Sequence, residues 1–488
     1  MTSTLNSYRN HATFVFRLPN ELLALVFEHC VDAYTGHTFS KNAIPWVLAR
    51  TCRRWRHVVL RAPSLWNLMH INTRCLPRNP IQMMNSWLER SQTLSLSCTI
   101  WIEAPPSEAD AEKQLFLQIL VHSHRWRHLA FELRSRCDLY HQFATSKCLF
   151  FSNLRSLQIY ADASSSYDIA IAPPVLNLSA PSLSSASFLL FIPDVNWQIT
   201  SLPWSQLTDL EISLVTSENF LEIVNILTVL QHCHLSTSSE FILDPQMVVF
   251  PPSLRYLEIL GPLSNMINLL YHISTPSLLH LSLSPPDAST VPSGAARRLL
   301  QSVVSFQTRS QCRLRQLRVP ITFFCSPVPR PFECLSSVQE LHVCLEIENN
   351  HHLFILNLRN IKLLPQLKQL HVIASYDSME TFHYFISPFL DMVELRRRSA
   401  YYSRSRQSFA MLESIEIDMI KRDGRPKVPI SINHTISERL ARLQRDGLIL
   451  LGSVRDEKLH PFHASLNYWD IEKHEKRWSQ GLGGVIGW

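Results

Sequence analysis

Glycine is scarce in this chain: 10 residues of 488, about a third of the usual share. They gather toward the C-terminus from Gly447 onward. A glycine-rich phosphate loop is therefore nearly excluded, and the terminal "GLGGVIGW" has nothing behind it to form the helix and second strand of a dinucleotide site. The 11 cysteines include no C-x-x-C pair and no short regular spacing, which argues against a zinc knuckle or a disulfide framework. Charge is low as well, with 18% Asp, Glu, Lys and Arg, a net +6 and a pI near 8.7. That balance falls short of the basic footprint of a nucleic-acid binder, so no nucleic-acid partner is expected. No charged start followed by an apolar core opens the sequence, and the longest charge-free run, 169–193, is interrupted by Pro173, Pro174 and Pro181. Neither a signal peptide nor a membrane span is expected, and the chain reads as cytoplasmic or nuclear.

Catalytic constellations are missing too. The 22 histidines come closest in "HSH" at 122–124, "HH" at 351–352 and "HPFH" at 460–463, without an HExxH or a carboxylate-bearing cluster beside them. No GxSxG or P-loop occurs. The expectation is no metal, no cofactor and no enzymatic activity.

What is present is hydrophobic pattern, in a chain 46% apolar. Residues 1–14 read as a polar arm. "RLPNELLALVFEHC" (17–30) then sets Leu22, Leu23, Val26 and Phe27 close together on one predicted helix, with Pro19 suited to its first position. After a loop-like interval, "PWVLARTCRRWRHVVL" opens on Pro45, carries Val47 and places Leu48, Cys52, Trp55 and Val59 on one stripe. "APSLW" follows, with Pro63, Leu65 and Trp66. A unit of about 50 residues is near the lower limit for folding on its own core, and this one has surplus apolar surface. It should want a partner.

The rest of the chain repeats. A triplet of aliphatic residues at positions 0, +3 and +5 recurs at Leu154/Leu157/Ile159, Leu207/Leu210/Ile212, Leu254/Leu257/Ile259, Leu278/Leu281/Leu283, Leu314/Leu317/Val319, Val338/Leu341/Val343, Leu367/Leu370/Val372 and Leu412/Ile415/Ile417. Weaker versions stand at Trp126/Leu129/Phe131, Leu183/Ala186/Phe188 and Leu230/Cys233/Leu235. About a dozen such triplets arise by chance in a chain of this composition. The spacing does not: starts at 207, 230, 254 and 278 are 23, 24 and 24 apart, and 314 to 338 is again 24. Proline precedes four of the starts by two places, as in "PSLRYLEI". A period of 20–29 residues is that of leucine-rich repeats, in which stacked strand-and-return units close a core none could make alone. The asparagine usual in that repeat is absent, and steps of 36 and 45 residues interrupt the period, so the expectation is an irregular solenoid over 80–455. "ISERLARLQRDGLILL" adds a helix and a strand with Gly447 as the helix stop, and 456–488 reads as a flexible or capping tail.

The N-terminal stretch resembles an F-box. The resemblance rests on Leu18-Pro19, Glu21-Leu22-Leu23, Phe27, Cys52, Trp55, Pro63 and Trp66 in that order, and covers about 50 residues within 15–70. "DAYTGHTFSKN" makes the interval from Pro19 to Trp55 longer than in compact members. The resemblance implies docking on a Skp-family adaptor, and through it on a cullin scaffold, by Leu18, Pro19, Leu22, Leu23, Val26, Phe27, Val47, Cys52, Trp55, Pro63, Leu65 and Trp66. It implies in turn a substrate receptor of a ubiquitin ligase, with an unknown protein substrate held by the repeats. The alternative is a repeat scaffold independent of any ligase. The fold class expected is α/β: a small all-α unit, then the solenoid. Arg396, Arg397 and Arg398, within "ELRRRSAYYSRSRQS", are candidates for gripping an acidic or phosphorylated substrate, or else belong to a solvated insertion.

Overall fold

The computed structural model describes residues 14–32, 36–102, 109–133, 149–161, 178–190, 202–214, 223–237, 248–285, 293–324, 335–346, 351–376, 379–402, 409–421 and 434–456. The expected polar arm and C-terminal tail lie outside them, Phe14 and Asp456 apart. The fold is mixed α/β with parallel sheet, in two compact units, Met1–Leu278 and Leu279–Trp488.

The first unit begins with helices α1 (Phe14–Arg17), α2 (Asn20–Asp32), α3 (Ile44–Thr51) and α4 (Arg53–Arg61), then a 3-10 turn Pro63–Trp66. Pro19 sits one place before α2, and its carbonyl accepts the first helical hydrogen bond from Leu23 N–H at 3.0 Å. The single helix expected over 45–60 is two. Cys52 is extended (φ −156°, ψ 169°), and its Sγ accepts from Trp55 N–H, so the residue that was to continue the stripe caps the next helix instead.

Strands β1 (Leu68–Asn72), β2 (Leu96–Ile102), β3 (Trp126–Leu133), β4 (Leu149–Phe150), β5 (Ser156–Ala161), β6 (Leu178–Ser179), β7 (Ser185–Leu190), β8 (Asp209–Leu214), β9 (His232–Thr237), β10 (Val248–Val249), β11 (Tyr256–Leu260) and β12 (Ile273–Ser274) complete this unit, with α5 (Pro80–Arg90), α6 (Ala109–Val121) and α7 (Leu263–His272) among the returns. Its main sheet runs β1-β2-β3-β5-β7-β8-β9-β11, every pair parallel and in chain order, while the two-residue strands pair as β4-β6 and β10-β12. Register follows the triplets: the +3 residues Leu129, Leu157, Ala186, Leu210, Cys233 and Leu257 align strand to strand, and Met69 and Cys98 extend the same ladder onto β1 and β2. All are buried, as are the +5 residues beside them. Alanine at 186 and cysteine at 233 show why those two triplets look weak in sequence: they are small members of one inward ladder. The leading residue of a triplet closes a turn, as Leu254 N–H does on Pro251 and Leu183 N–H on Ala180, which accounts for the upstream prolines.

The second unit repeats the plan with β13 (His280–Ser284), β14 (Gln316–Pro320), β15 (Glu340–Glu346), β16 (Gln369–Tyr376), β17 (Ser414–Lys421) and β18 (Ile449–Asp456), parallel and in chain order. The ladder here is Leu281, Leu317, Leu341, Leu370, Ile415 and Leu450. The long steps are explained by the helices they hold: α8 (Ser293–Ser310) lies between β13 and β14, α9 (His351–Arg359) between β15 and β16, and α10 (Met379–Tyr402) between β16 and β17. Helix α11 (His434–Arg445) precedes β18 and ends at Gly447, whose φ of +85° is the left-handed stop that glycine favours. Among the described residues no helix is long and apolar enough to cross a membrane.

Candidate functional site

Helix α2 carries more apolar surface than the described residues cover. Leu23, Phe27 and Val31, spaced by four, turn into the first unit and are buried. Phe27 packs edge-on against Trp55 with ring centroids 4.9 Å apart. On the adjoining face of the same helix, Leu22, Leu25 and Val26 keep 48%, 52% and 47% of their surface exposed, at the i, i+3, i+4 spacing of a second stripe. Val47 on α3 is exposed as well.

The residues expected to dock therefore divide. Leu22, Val26 and Val47 are open to a partner, Pro19 is exposed, and Leu18, Cys52, Trp55 and Pro63 are half-buried. Leu23, Phe27, Leu65 and Trp66 are corrected to core, because each is already surrounded by the chain itself. Trp66 shows how completely. Its Nε1–H donates to Val59 carbonyl at 2.9 Å, its ring meets Trp46 at 5.1 Å and Trp87 at 4.8 Å, and the Arg90 guanidinium stacks 4.6 Å over it. Arg54 fixes the start of α2 against α4, donating to the Leu18 carbonyl and to Asn20 Oδ1. Leu25 escaped the sequence reading, although a helix apolar on more than one side was the signal for it.

Arg396 and Arg397 are not a surface patch either. They lie in α10, and Arg396 is only 7% exposed. Its guanidinium donates to the carbonyls of Leu358, Leu363 and Leu364, and Arg397 donates to those of Leu412 and Asp446. Burial pulls the Arg396 pKa down to about 10, still charged at neutral pH. Both arginines close off helix ends and turns. Arg398 alone faces solvent, 3.6 Å from Glu394 one helical turn back.

The other candidate surface is the polar face of each sheet, formed by residues that alternate with the inward ladder. In the first unit His232 Nδ1 lies 2.7 Å from Asp209, and His234 Nδ1 lies 2.8 Å from Glu258, which also accepts from Tyr256 OH at 3.1 Å. Ser187 Oγ donates to Glu211 at 2.6 Å.

In the second unit a hydrogen-bonded line crosses five strands. His280 Nδ1 meets Gln316 Oε1 at 2.5 Å, Gln316 Nε2 meets His342 Nε2 at 2.8 Å, His342 Nδ1 meets His371 Nδ1 at 3.0 Å, and His371 Nε2 meets Asp418 Oδ2 at 3.3 Å. An amide nitrogen only donates, so His342 accepts at Nε2 and carries its proton on Nδ1. That proton goes to His371 Nδ1, and His371 Nε2–H then faces the carboxylate. The line is directional and needs His342 neutral. Burial, reinforced by His371, Arg318 and His280, holds the His342 pKa down to about 3.

Apart from Tyr256 and Glu258 on one strand, these pairs join residues 23 to 47 positions apart, brought together by the pairing of the strands. No protein-family model matches the chain, and a comparison with curated proteins finds no match.

Proposed function

We propose that the chain is a substrate-recognition subunit of a Skp-cullin-F-box ubiquitin ligase. Residues 15–70 act as an F-box-like unit that docks a Skp-family adaptor, and the remainder is an irregular leucine-rich-repeat-type solenoid whose polar sheet face holds a target protein. Catalysis belongs to other subunits. The observation that carries this reading is the second stripe of α2. Leu22, Leu25 and Val26 are about half exposed on a helix whose other face is already packed. Covering such side chains contributes up to ~1.5–3 kcal/mol each for full burial, and roughly half that from half exposure, before the costs of association. Strands added in chain order, with their ladder residues aligned from one strand to the next within each unit, support the solenoid part.

The test is co-purification of the full chain with a Skp-family adaptor, comparing wild type with a Leu22→Asp, Val26→Asp variant. These positions are exposed, so the variant keeps the core intact. Loss of adaptor capture with unchanged thermal unfolding is expected; equal capture by both proteins overturns the proposal.

A further inference from the structure

We propose that His371, Glu416 and Asp418 bind a divalent first-row transition-metal ion, with Zn²⁺ the best match to the donors. The inference is independent of the adaptor reading, and either can fail alone.

The three residues are placed by pairing. His371 on β16 is the register partner of Glu416 on β17, and Asp418 lies two residues further along β17, on the same face. One donor atom from each lies within 4.8 Å of the other two, and His371 Nε2 is 3.3 Å from Asp418 Oδ2. Ligands bound at ~2.0–2.2 Å to a four-coordinate ion stand roughly 3.3 Å apart, so the set needs only small side-chain adjustments to share one ion. The carboxylates are withdrawn from water, with side-chain exposures of 25% for Glu416 and 10% for Asp418. Two carboxylates held this close repel each other, and a dication between them offsets that repulsion directly.

Ligand type selects the metal. An imidazole nitrogen with two carboxylate oxygens suits Zn²⁺, Co²⁺ or Mn²⁺ better than Mg²⁺ or Ca²⁺, which take all-oxygen shells. His342, the register partner of His371 on the other side, lies 3.0 Å from its Nδ1; with Nε2 on the ion, His371 carries its proton on Nδ1 and donates it to His342, whose own proton moves to Nε2 as the Gln316 amide turns over. Such an outer contact is what orients a metal-bound histidine. The strands are rigid neighbours in one sheet, so no loop has to close around the ion.

The experiment uses the full chain, stripped with chelator and titrated with ZnCl₂ by calorimetry and with CoCl₂ by visible absorption. The expected result is one equivalent of Zn²⁺ bound and the d–d bands of protein-bound Co²⁺, with no response to MgCl₂. His371→Gln and Asp418→Asn should each weaken binding by roughly tenfold or more. His434→Gln serves as the control, since His434 sits on an exposed helix turn with Glu438. Absence of Zn²⁺ binding, or binding that stays within about twofold of wild type in both variants, overturns the proposal. If Asp418→Asn fails to fold by thermal unfolding of the metal-free protein, Glu416→Gln, the more exposed of the two carboxylates, is judged by the same criteria.

Discussion

The N-terminal helices and the strand ladders meet the same requirement, that apolar side chains be covered, in different ways. In the ladders each strand is covered by the next, and by the helices and turns that return to it, so Leu341 has Leu317 on one side and Leu370 on the other. The helices of residues 14–61 have no such succession. Helix α2 buries Leu23, Phe27 and Val31 against its own unit and leaves Leu22, Leu25 and Val26 outside. Repetition satisfies itself, whereas a single amphipathic helix with two stripes satisfies one and presents the other. The contrast makes the uncovered stripe informative, because no part of the described chain required it.

The largest effect is expected on the covered side of α2. Phe27→Ala removes a buried ring that packs on Trp55, and should lower unfolding stability by about 4 kcal/mol in a denaturant titration. A cost below about 1 kcal/mol would mean that Phe27 is not core and that the two stripes are not distinct.

Next is the helix of the second unit that looked like a basic patch. Arg396→Met keeps the aliphatic stem but strands the carbonyls of Leu358, Leu363 and Leu364. About 3 kcal/mol of destabilisation is expected by thermal unfolding, and Arg396→Lys should recover only part of it, since one ammonium cannot reproduce the planar fork. A variant as stable as wild type would return this arginine to the surface reading.

Much of the ladder was legible because its signal is local. Triplet spacing of 3 and 2 identifies residues that share one face of a turn and strand, and the 23–24 residue period says that the faces stack. The stop at Gly447 follows from a pattern a few residues long. The break at Cys52 was not legible, because its cause is one extended residue in a sequence that stays amphipathic across it. The burial of Arg396 and Arg397 was hidden for a different reason. Their partners are carbonyls 15 to 49 positions away, and carbonyls have no sequence signature. The His371–Asp418 contact likewise depends on which strands are neighbours, and its residues form no short motif.

The polar face gives the third prediction. His342 titrates near 6.5 when unfolded and near 3 when folded, so the folded state binds fewer protons between those values. Stability from the neutral ring is therefore present above pH 6.5 and is lost as pH falls toward 3. At pH 5 the loss relative to neutral pH is about 2 kcal/mol. His342→Gln should flatten that part of the pH profile, measured as the wild-type stability difference between pH 7 and pH 5 minus that of the variant. An unchanged profile would show that the histidine line across the strands is not held neutral.

The smallest effect on stability belongs to the uncovered stripe. Leu22→Asp exchanges a half-exposed leucine for a carboxylate near the start of α2, where Glu21 already lies in the first turn. No buried contact is lost, so unfolding stability should stay within about 0.5 kcal/mol of wild type. Self-association should fall instead, because exposed apolar stripes drive chains together. Sedimentation of wild type and variant at matched concentrations reads this. A variant that loses stability as Phe27→Ala does would place Leu22 in the core and remove the distinction between the two faces of α2. A variant that keeps both its stability and its wild-type self-association would mean that the stripe has no measurable appetite for cover.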